Sequence, residues 1–405
     1  MRGLIAPVAA CCLLTVAACT DATSVAPLSS PKALATKTAV EPTGPWAKIV
    51  EGSTGPGSLY GIYVPNNWNG DVIYFVHGIR PPTEPVSLPD DPTDWDGFIL
   101  IRDQFGAMGF AVAYSSFSEN GLALKDAAQR THQLRGLVAS VLNGQPNRSF
   151  IVGYSLGAAS ALQLIETQSA QYDGAVMACG MLGGTPMQFQ YIGDVRALFD
   201  FYYPGVLPGS TMEMPVVITD VASQIQGPVV GAVLANPTGF GLIAASNQVQ
   251  LAGNNNLELL TSLVNALAYQ AIGVNDLLAR THGHTLFDNT TTVYNSALYP
   301  DIFYASANAG VRRYTATSDA LEWLEHNYEP TGDLRIPMIT FHKTRDRLVP
   351  YRHEAAYQAR VAAAGESANL LQRSQNAFGH CDFGVQDVMS NFNDLVNWVS
   401  TGVRP

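Results

Sequence analysis

The pentapeptide Gly153-Tyr154-Ser155-Leu156-Gly157 sets a serine between two glycines, each two positions away. A serine exposed on a sharp strand-to-helix turn needs neighbours that lack a Cβ, because the backbone there approaches other backbone closely. Its hydroxyl is a poor nucleophile at neutral pH, so it works only with a base in hydrogen-bond reach and a third group that fixes the tautomer of that base. Both are present downstream: Asp346 within Arg345-Asp346-Arg347-Leu348-Val349-Pro350, and His380 within Phe378-Gly379-His380-Cys381. Together they support acyl transfer, with Ser155 as nucleophile, His380 as base and Asp346 as the orienting acid. Asp382, two residues past His380, is a rival acid, but a residue so near in sequence rarely reaches the ring nitrogen facing away from the serine.

The elements that must position these residues are legible in the same stretch. An apolar strand at 149–153 feeds the pentapeptide, and an Ala/Leu-rich helix follows at 158–166. The runs 71–76 and 107–114 are short and nearly unbroken in apolar residues, as in strands of a parallel sheet buried on both faces, with a helical stretch at 95–105 between them. Helical spacing returns at 124–142, and 174–179 reads as another strand. Ahead of these, 58–64 is rich in aromatic and β-branched residues and closes on Pro65-Asn66-Asn67, which suggests two antiparallel opening strands. Near Ile336 the alternation resumes with a strand at 336–341, a helix at 353–364, a short strand at 370–373 and a helix at 385–399. Strand and helix in alternation predict an α/β fold with a mostly parallel central sheet flanked by helices.

Between 182 and 335 that regularity fails. Amphipathic stretches at 257–271 and 318–328 and an aromatic cluster at 199–203 occupy the gap. A structureless loop of that length is improbable in a compact domain, so the segment is expected to be a mainly helical cap. The predicted organisation is a core from 45–181 and 336–405 with a cap or lid at 182–335.

The chain has 405 residues, of which 47% are apolar and 14% charged, so it can bury a full core. Its net charge of -11 comes from scattered Asp and Glu, which argues against a nucleic-acid partner. Residues 1–18 carry Arg2 and then an apolar run up to Cys19, as an export signal does; a spanning helix needs about 20 continuous apolar residues. Val16-Ala17-Ala18-Cys19 resembles the bacterial lipobox, which implies lipidation at Cys19 and an envelope lipoprotein, the alternative being an ordinary cleaved signal and a secreted protein. Residues 19–44, dominated by Ala, Thr, Ser, Val and Pro, read as a flexible tether. Of five cysteines, Cys11 and Cys12 leave with the signal and Cys19 takes the lipid, so 5 − 3 = 2 remain, Cys179 and Cys381. In an oxidising compartment they form one disulfide if their Cα atoms come within about 7 Å; otherwise they pack as small apolar thiols. No strand-coupled G-x-G-x-x-G and no P-loop is present, so no cofactor is expected.

The strand followed by His77-Gly78, the glycine-flanked serine, the D-x-x-V-P run from Asp346 and the Gly379-His380 pair are jointly similar to the α/β-hydrolase superfamily, over 57–402 apart from the cap. That resemblance implies attack by Ser155, an acyl-enzyme and hydrolysis by water. A tetrahedral intermediate needs oxyanion donors, each worth about 3 to 4 kcal/mol. One is expected at the N–H of Leu156, at a helix start where free amides favour an anion. The other should come from the loop after 71–76, where His77-Gly78-Ile79-Arg80 resembles the H-G-x turn of lipases and esterases and points to Ile79. Arg80 and Glu119 follow strand ends on this rim and read as solvated charges, substrate contact being the alternative. His282 and His284 have metal-type spacing, but no Cys, Asp or Glu joins them within three residues, so they read as cap-loop residues.

The expected activity is hydrolysis of a small-molecule or polymeric carboxylic ester with an apolar or aromatic part. A prolyl-oligopeptidase-type peptidase shares the core pattern, although the large N-terminal propeller of that type is missing. A non-catalytic surface binding protein is the remaining reading. Membrane contact is expected only through the N-terminal lipid, and oligomeric state is left open.

Overall fold

The computed structural model describes residues 43–55, 57–91 and 94–405. The signal segment, Cys19 and all but the last two residues of the tether lie outside the described residues.

Strands β1 (Trp46–Gly55), β2 (Ser58–Pro65), β3 (Val72–Val76), β4 (Ala111–Ser115), β5 (Ser149–Tyr154), β6 (Gly174–Ala178), β7 (Met338–Arg345) and β8 (Leu370–Phe378) form one sheet. Their spatial order is β1-β2-β4-β3-β5-β6-β7-β8. The pairs β1–β2 and β2–β4 are antiparallel, and all other pairs are parallel. The predicted mostly parallel sheet with antiparallel opening strands is therefore the fold observed.

The period-2 alternation of strand side chains divides the core into two layers. Val72, Tyr74 and Val76 of β3 pack with α2 (Leu124–Leu142), α3 (Leu156–Thr167) and α10 (Arg352–Ala364) through Leu134, Leu162 and Tyr357. Ile73 and Phe75 face the opposite layer, where α1 (Asp94–Ala107) and α11 (Val385–Thr401) contribute Phe98, Phe105, Phe392 and Trp398. All β3 residues are buried, and each large apolar side chain removed from water contributes about 1.5–3 kcal/mol.

Four boundaries differ from the sequence reading by four residues or more. The apolar run 107–114 is not one strand: Ala107 ends α1, Gly109 turns the chain at a φ of +91°, and β4 starts only at Ala111. Apolar composition alone does not separate a helix end from a strand start. Strands β7 and β8 run on to Arg345 and Phe378, past the predicted ends, because they pair with each other through polar residues that carry no apolar signal. Helix α7 (Asn256–Arg280) continues nine residues beyond the predicted end at Ala271.

Between β6 and β7 the chain forms α4 (Thr185–Tyr202), a π-helical turn (Ala222–Gln226), α5 (Gly227–Ala235), α6 (Pro237–Ala245), α7, α8 (Ala305–Gly310) and α9 (Ser318–Tyr328). All of these but α9 share a core of their own that includes Leu198, Phe199, Ile243, Leu263 and Leu267, whereas α9 packs through Ala320, Leu324 and Tyr328 into clusters of the sheet domain and the site. At its centre the fully buried Arg196 donates to Asp200 at 2.7 Å, Gln270 at 2.9 Å and the Pro208 carbonyl at 2.9 Å. By length and composition α7 is apolar enough to cross a bilayer, but Leu263, Leu267 and Val274 pack into this core. The exit of the insertion is fastened to the sheet domain by Glu166 of α3, which accepts from Thr331 N at 2.8 Å, Gly332 N at 2.8 Å and the Tyr357 hydroxyl at 2.9 Å.

Candidate active site

Ser155 is the single residue between the end of β5 and the start of α3, and it adopts φ 53° and ψ −120°. A non-glycine residue held there carries about 1–3 kcal/mol of strain, sustained by the surrounding bonds. Its N–H donates to the Ala178 carbonyl at 3.0 Å, and its own carbonyl accepts from Ala158 N at 3.1 Å. A Cβ at Gly153 would lie 2.7 Å from Ala158 Cα, and one at Gly157 would run into the carbonyl oxygens of Val76 and His77. Both flanking glycines are therefore required by contact with backbone.

Asp346 immediately follows β7 and His380 follows β8 by two residues. Register brings them together: Arg345 pairs with Phe378, and Gly379 N donates to the Arg345 carbonyl at 3.2 Å. His380 Nε2 stands 3.0 Å from Ser155 Oγ, and its Nδ1 is 2.8 Å from Asp346 Oδ2 and 3.0 Å from Oδ1. Oδ1 also accepts the N–H groups of Leu348 at 2.8 Å and Val349 at 2.9 Å, so the D-x-x-V-P run wraps back onto its own carboxylate. Burial pushes the Asp346 carboxyl up, but His380 and His342 beside it outweigh that and hold it well below the usual carboxylate range. The rival Asp382 is instead paired with Lys343 Nζ at 2.9 Å and is largely exposed.

Ile79 lies in the loop after β3, and Leu156 is the first residue of α3. Among the described residues neither N–H has an acceptor, as a group reserved for an oxyanion requires. Both side chains belong to one apolar cluster with Leu122, Phe189, Leu277 and Leu286, which brings the insertion against the two loops. The loop of Ile79 is braced by His77, whose ring is stacked between Trp95 at 4.1 Å and Phe117 at 3.9 Å. Burial lowers the His77 pKa to about 3, so the ring is neutral, and its Nδ1 lies 2.7 Å from the Gly78 carbonyl. Both rim charges are paired: Arg80 with Glu84 at 2.8 Å, and Glu119 with Arg280 of α7 at 2.7 Å.

Cys179, just past β6, is bonded to Cys381, the residue after His380, with Cα atoms 5.4 Å apart. These two cysteines and His380 are the one group of three metal-type side chains that converge among the described residues, but the disulfide leaves no thiolate to bind an ion. His284 lies 3.6 Å from the exposed Asp319, and His282 occupies a turn at φ 54°.

Sequence reasoning missed two residues behind the acid. His342 of β7 is fully buried, with Nε2 at 3.1 Å from both Asp346 Oδ2 and the Val349 carbonyl, and Nδ1 at 3.2 Å from Glu354 Oε1. Glu354 Oε2 accepts from Thr340 Oγ1 at 2.5 Å and Gln372 Nε2 at 2.8 Å. Burial alone would lower the His342 pKa, but its bonds to Asp346 and Glu354 prevail and raise it to about 9. The one available signal was an ionisable residue directly after the apolar strand run 336–341, four positions before Asp346.

Two apolar cavities adjoin the site. One is walled by Ile192, Met212, Leu277, Leu286 and Phe287, and the other opens past Ile79, Pro81 and Leu122. They share Phe189, Tyr269 and Gly273. Ser155 and His380 are in neither wall; the second is lined by Ile79, of the loop after β3.

No protein-family model matches the chain, and no curated protein is similar to it in sequence. Solved structures are similar in shape. Feruloyl esterase B from Aspergillus oryzae aligns with 14% identity over 88% of this chain and 82% of that one, with a TM-score of 0.51. Candida antarctica lipase A aligns with 14% identity over 88% of this chain and 78% of that one, with a TM-score of 0.45. At such identity the first likeness speaks to architecture alone; with the mostly parallel eight-stranded sheet flanked by helices, the chain has the α/β-hydrolase fold.

Proposed function

We propose that the protein is a serine hydrolase acting on carboxylic esters through an acyl-enzyme. The observation that carries this reading is the line from Ser155 Oγ through His380 Nε2 and Nδ1 to Asp346, at 3.0 and 2.8 Å, on a strained turn at the carboxyl ends of parallel strands. His380 takes the proton from Ser155 as Oγ attacks the ester carbonyl, and Asp346 keeps the Nδ1 proton in place so that Nε2 is the basic nitrogen. The oxyanion is received by the N–H groups of Ile79 and Leu156. His380 then returns the proton to the leaving alcohol, activates a water, and the acyl-enzyme is cleaved.

The cavities favour an acyl or alcohol group of apolar or aromatic character, since their walls combine Phe189, Tyr269, Leu277, Leu286 and Phe287. The test is a series of p-nitrophenyl esters of rising acyl length with a p-nitroanilide control, run on the protein and on Ser155→Ala. Ester turnover that peaks at one chain length and vanishes in the variant is expected; anilide turnover comparable with that of esters would favour a peptidase instead. Absence of both turnover and fluorophosphonate labelling at Ser155 would reject catalysis.

A further inference from the structure

We propose that His342 and Glu354 are positioning residues for the acid of the triad: Glu354 on α10 holds the ring of His342, and His342 clamps Oδ2 of Asp346 so that the carboxylate faces His380. This rests on the reading of Ser155 as nucleophile. The bonds form a continuous line, from Glu354 Oε1 to His342 Nδ1 at 3.2 Å, His342 Nε2 to Asp346 Oδ2 at 3.1 Å, Asp346 to His380 Nδ1 at 2.8 Å and His380 Nε2 to Ser155 Oγ at 3.0 Å.

Proton positions follow from the partners. Nε2 of His342 faces two acceptors, Asp346 Oδ2 and the Val349 carbonyl, so it must carry hydrogen. Nδ1 faces Glu354 Oε1, while the other oxygen of that carboxylate is already supplied with hydrogen by Thr340 and Gln372. A lone pair on Nδ1 would oppose the carboxylate, whereas an N–H there completes it. The ring is thus an imidazolium between two carboxylates, all three groups being buried.

The charged groups that face His342 are these two: Asp346 from the loop after β7 and Glu354 from α10. Its other neighbours are neutral. Thr340 and Gln372 reach the same carboxylate from β7 and β8, the Tyr351 ring lies edge-on at 5.8 Å, and burial keeps His353 uncharged. An apolar residue there would leave Oδ2 of Asp346 with His380 as its only side-chain partner. The buried charge of His342 therefore acts on the orientation of the acid rather than on the volume of the core.

The test combines kinetics and nitrogen NMR on the folded protein, with fluorophosphonate labelling and ester turnover of the wild type as the control for Ser155 itself. In His342→Gln, kcat is expected to fall about 10- to 100-fold with KM within about twofold, as for a misaligned catalytic group. Wild-type kcat is expected to decline near pH 9, where the His342 ring loses its Nδ1 proton and its charge, and that decline is expected to be absent in this variant. Glu354→Gln still accepts from Nδ1 but lacks the charge; its kcat falls less, and the alkaline decline moves to lower pH. In the wild type labelled with 15N-histidine, one buried ring is expected to show both nitrogens protonated at pH 7.5, a result available even if neither variant folds. The proposal is overturned by a folded His342→Gln with wild-type kcat and pH profile, by a reduced kcat with the alkaline decline unmoved in both variants, or by the absence of that imidazolium. Failure of the wild type to label or turn over would reject the hydrolase reading instead, and the ring signal would still report on His342.

Discussion

Replacing Cys179 and Cys381 together by alanine removes one bond and little volume, since both side chains are buried and small. The bond joins residues 202 positions apart. In the chain-entropy description, closing a loop of that length restricts the unfolded chain by about 18 cal/mol/K, or about 5 kcal/mol at 25 °C. Unfolding entropy near 2.1 cal/mol/K per residue over roughly 360 residues makes each kcal/mol worth about 1.3 °C, so a melting temperature lower by about 7 °C is expected. A second effect is local. Cys381 follows His380 directly, and both cysteines sit at positive φ, 49° and 56°. Releasing the bond frees the histidine loop at the point where His380 must stay within 3.0 Å of Ser155 Oγ, and kcat is expected to fall about 10-fold or more with KM nearly unchanged. Calorimetry and ester kinetics on the double variant measure the two effects separately, and alkylation of the unfolded, unreduced wild type should add no label at either cysteine. A double variant that melts and turns over like the wild type would refute the reasoning on both counts.

Asp346→Asn should lower kcat by about 10³- to 10⁴-fold, because an amide oxygen accepts the Nδ1 proton without stabilising the imidazolium; an effect below tenfold would remove Asp346 from the triad. Stability should be greatest near neutral pH. His342, raised to about 9 in the fold, stabilises fully below its unfolded pKa near 6.5, and this contribution of about 3 kcal/mol is lost as pH rises through 9. Buried His77 and His353, lowered to about 3, stabilise above about 6.5 and lose that contribution as pH falls towards 3. Urea midpoints from pH 4.5 to 9.5 that rise steadily would contradict the sign for His342, midpoints that fall steadily the sign for His77 and His353, and a flat profile both. Leu286→Trp narrows the apolar cavity and should move the acyl-length optimum to shorter chains, with Ser155 labelling by a small fluorophosphonate retained. Cys19→Ser should release the protein from membranes into the soluble fraction of an expressing bacterium; unchanged membrane association would count against lipidation at Cys19.

The arrangement of the candidate site was legible wherever it rests on local geometry. Gly153 and Gly157 are demanded by the Ser155 turn itself, and the apolar runs of β3, β5 and β6 declare strands buried on both faces, so the turn that carries Ser155, the sheet and the strand direction could be read along the chain. Asp346 and His380 were legible because each follows a strand, and neighbouring parallel strands deliver their ends to one edge of the sheet. Periodicity failed where apolar composition does not distinguish elements, as at the α1–β4 boundary, and where polar residues continue a strand, as at the ends of β7 and β8.

Only the tertiary structure decided what surrounds those residues. It joined Cys179 to Cys381 across 202 positions, paired Glu119 with Arg280 of the insertion, and set Phe189, Tyr269 and Leu286 around the cavities beside Ile79. It also placed Glu354 and His342 behind Asp346. Counting had singled out the cysteine pair and left only its bonding open; the other contacts have no sequence signature, because a hydrogen bond or a packed contact between distant elements depends on register and helix rotation, not on spacing along the chain. A histidine in a strand looks the same whether it fills a core or carries a buried charge; the carboxylates on either side of His342, brought there from the loop after β7 and from α10, make the difference.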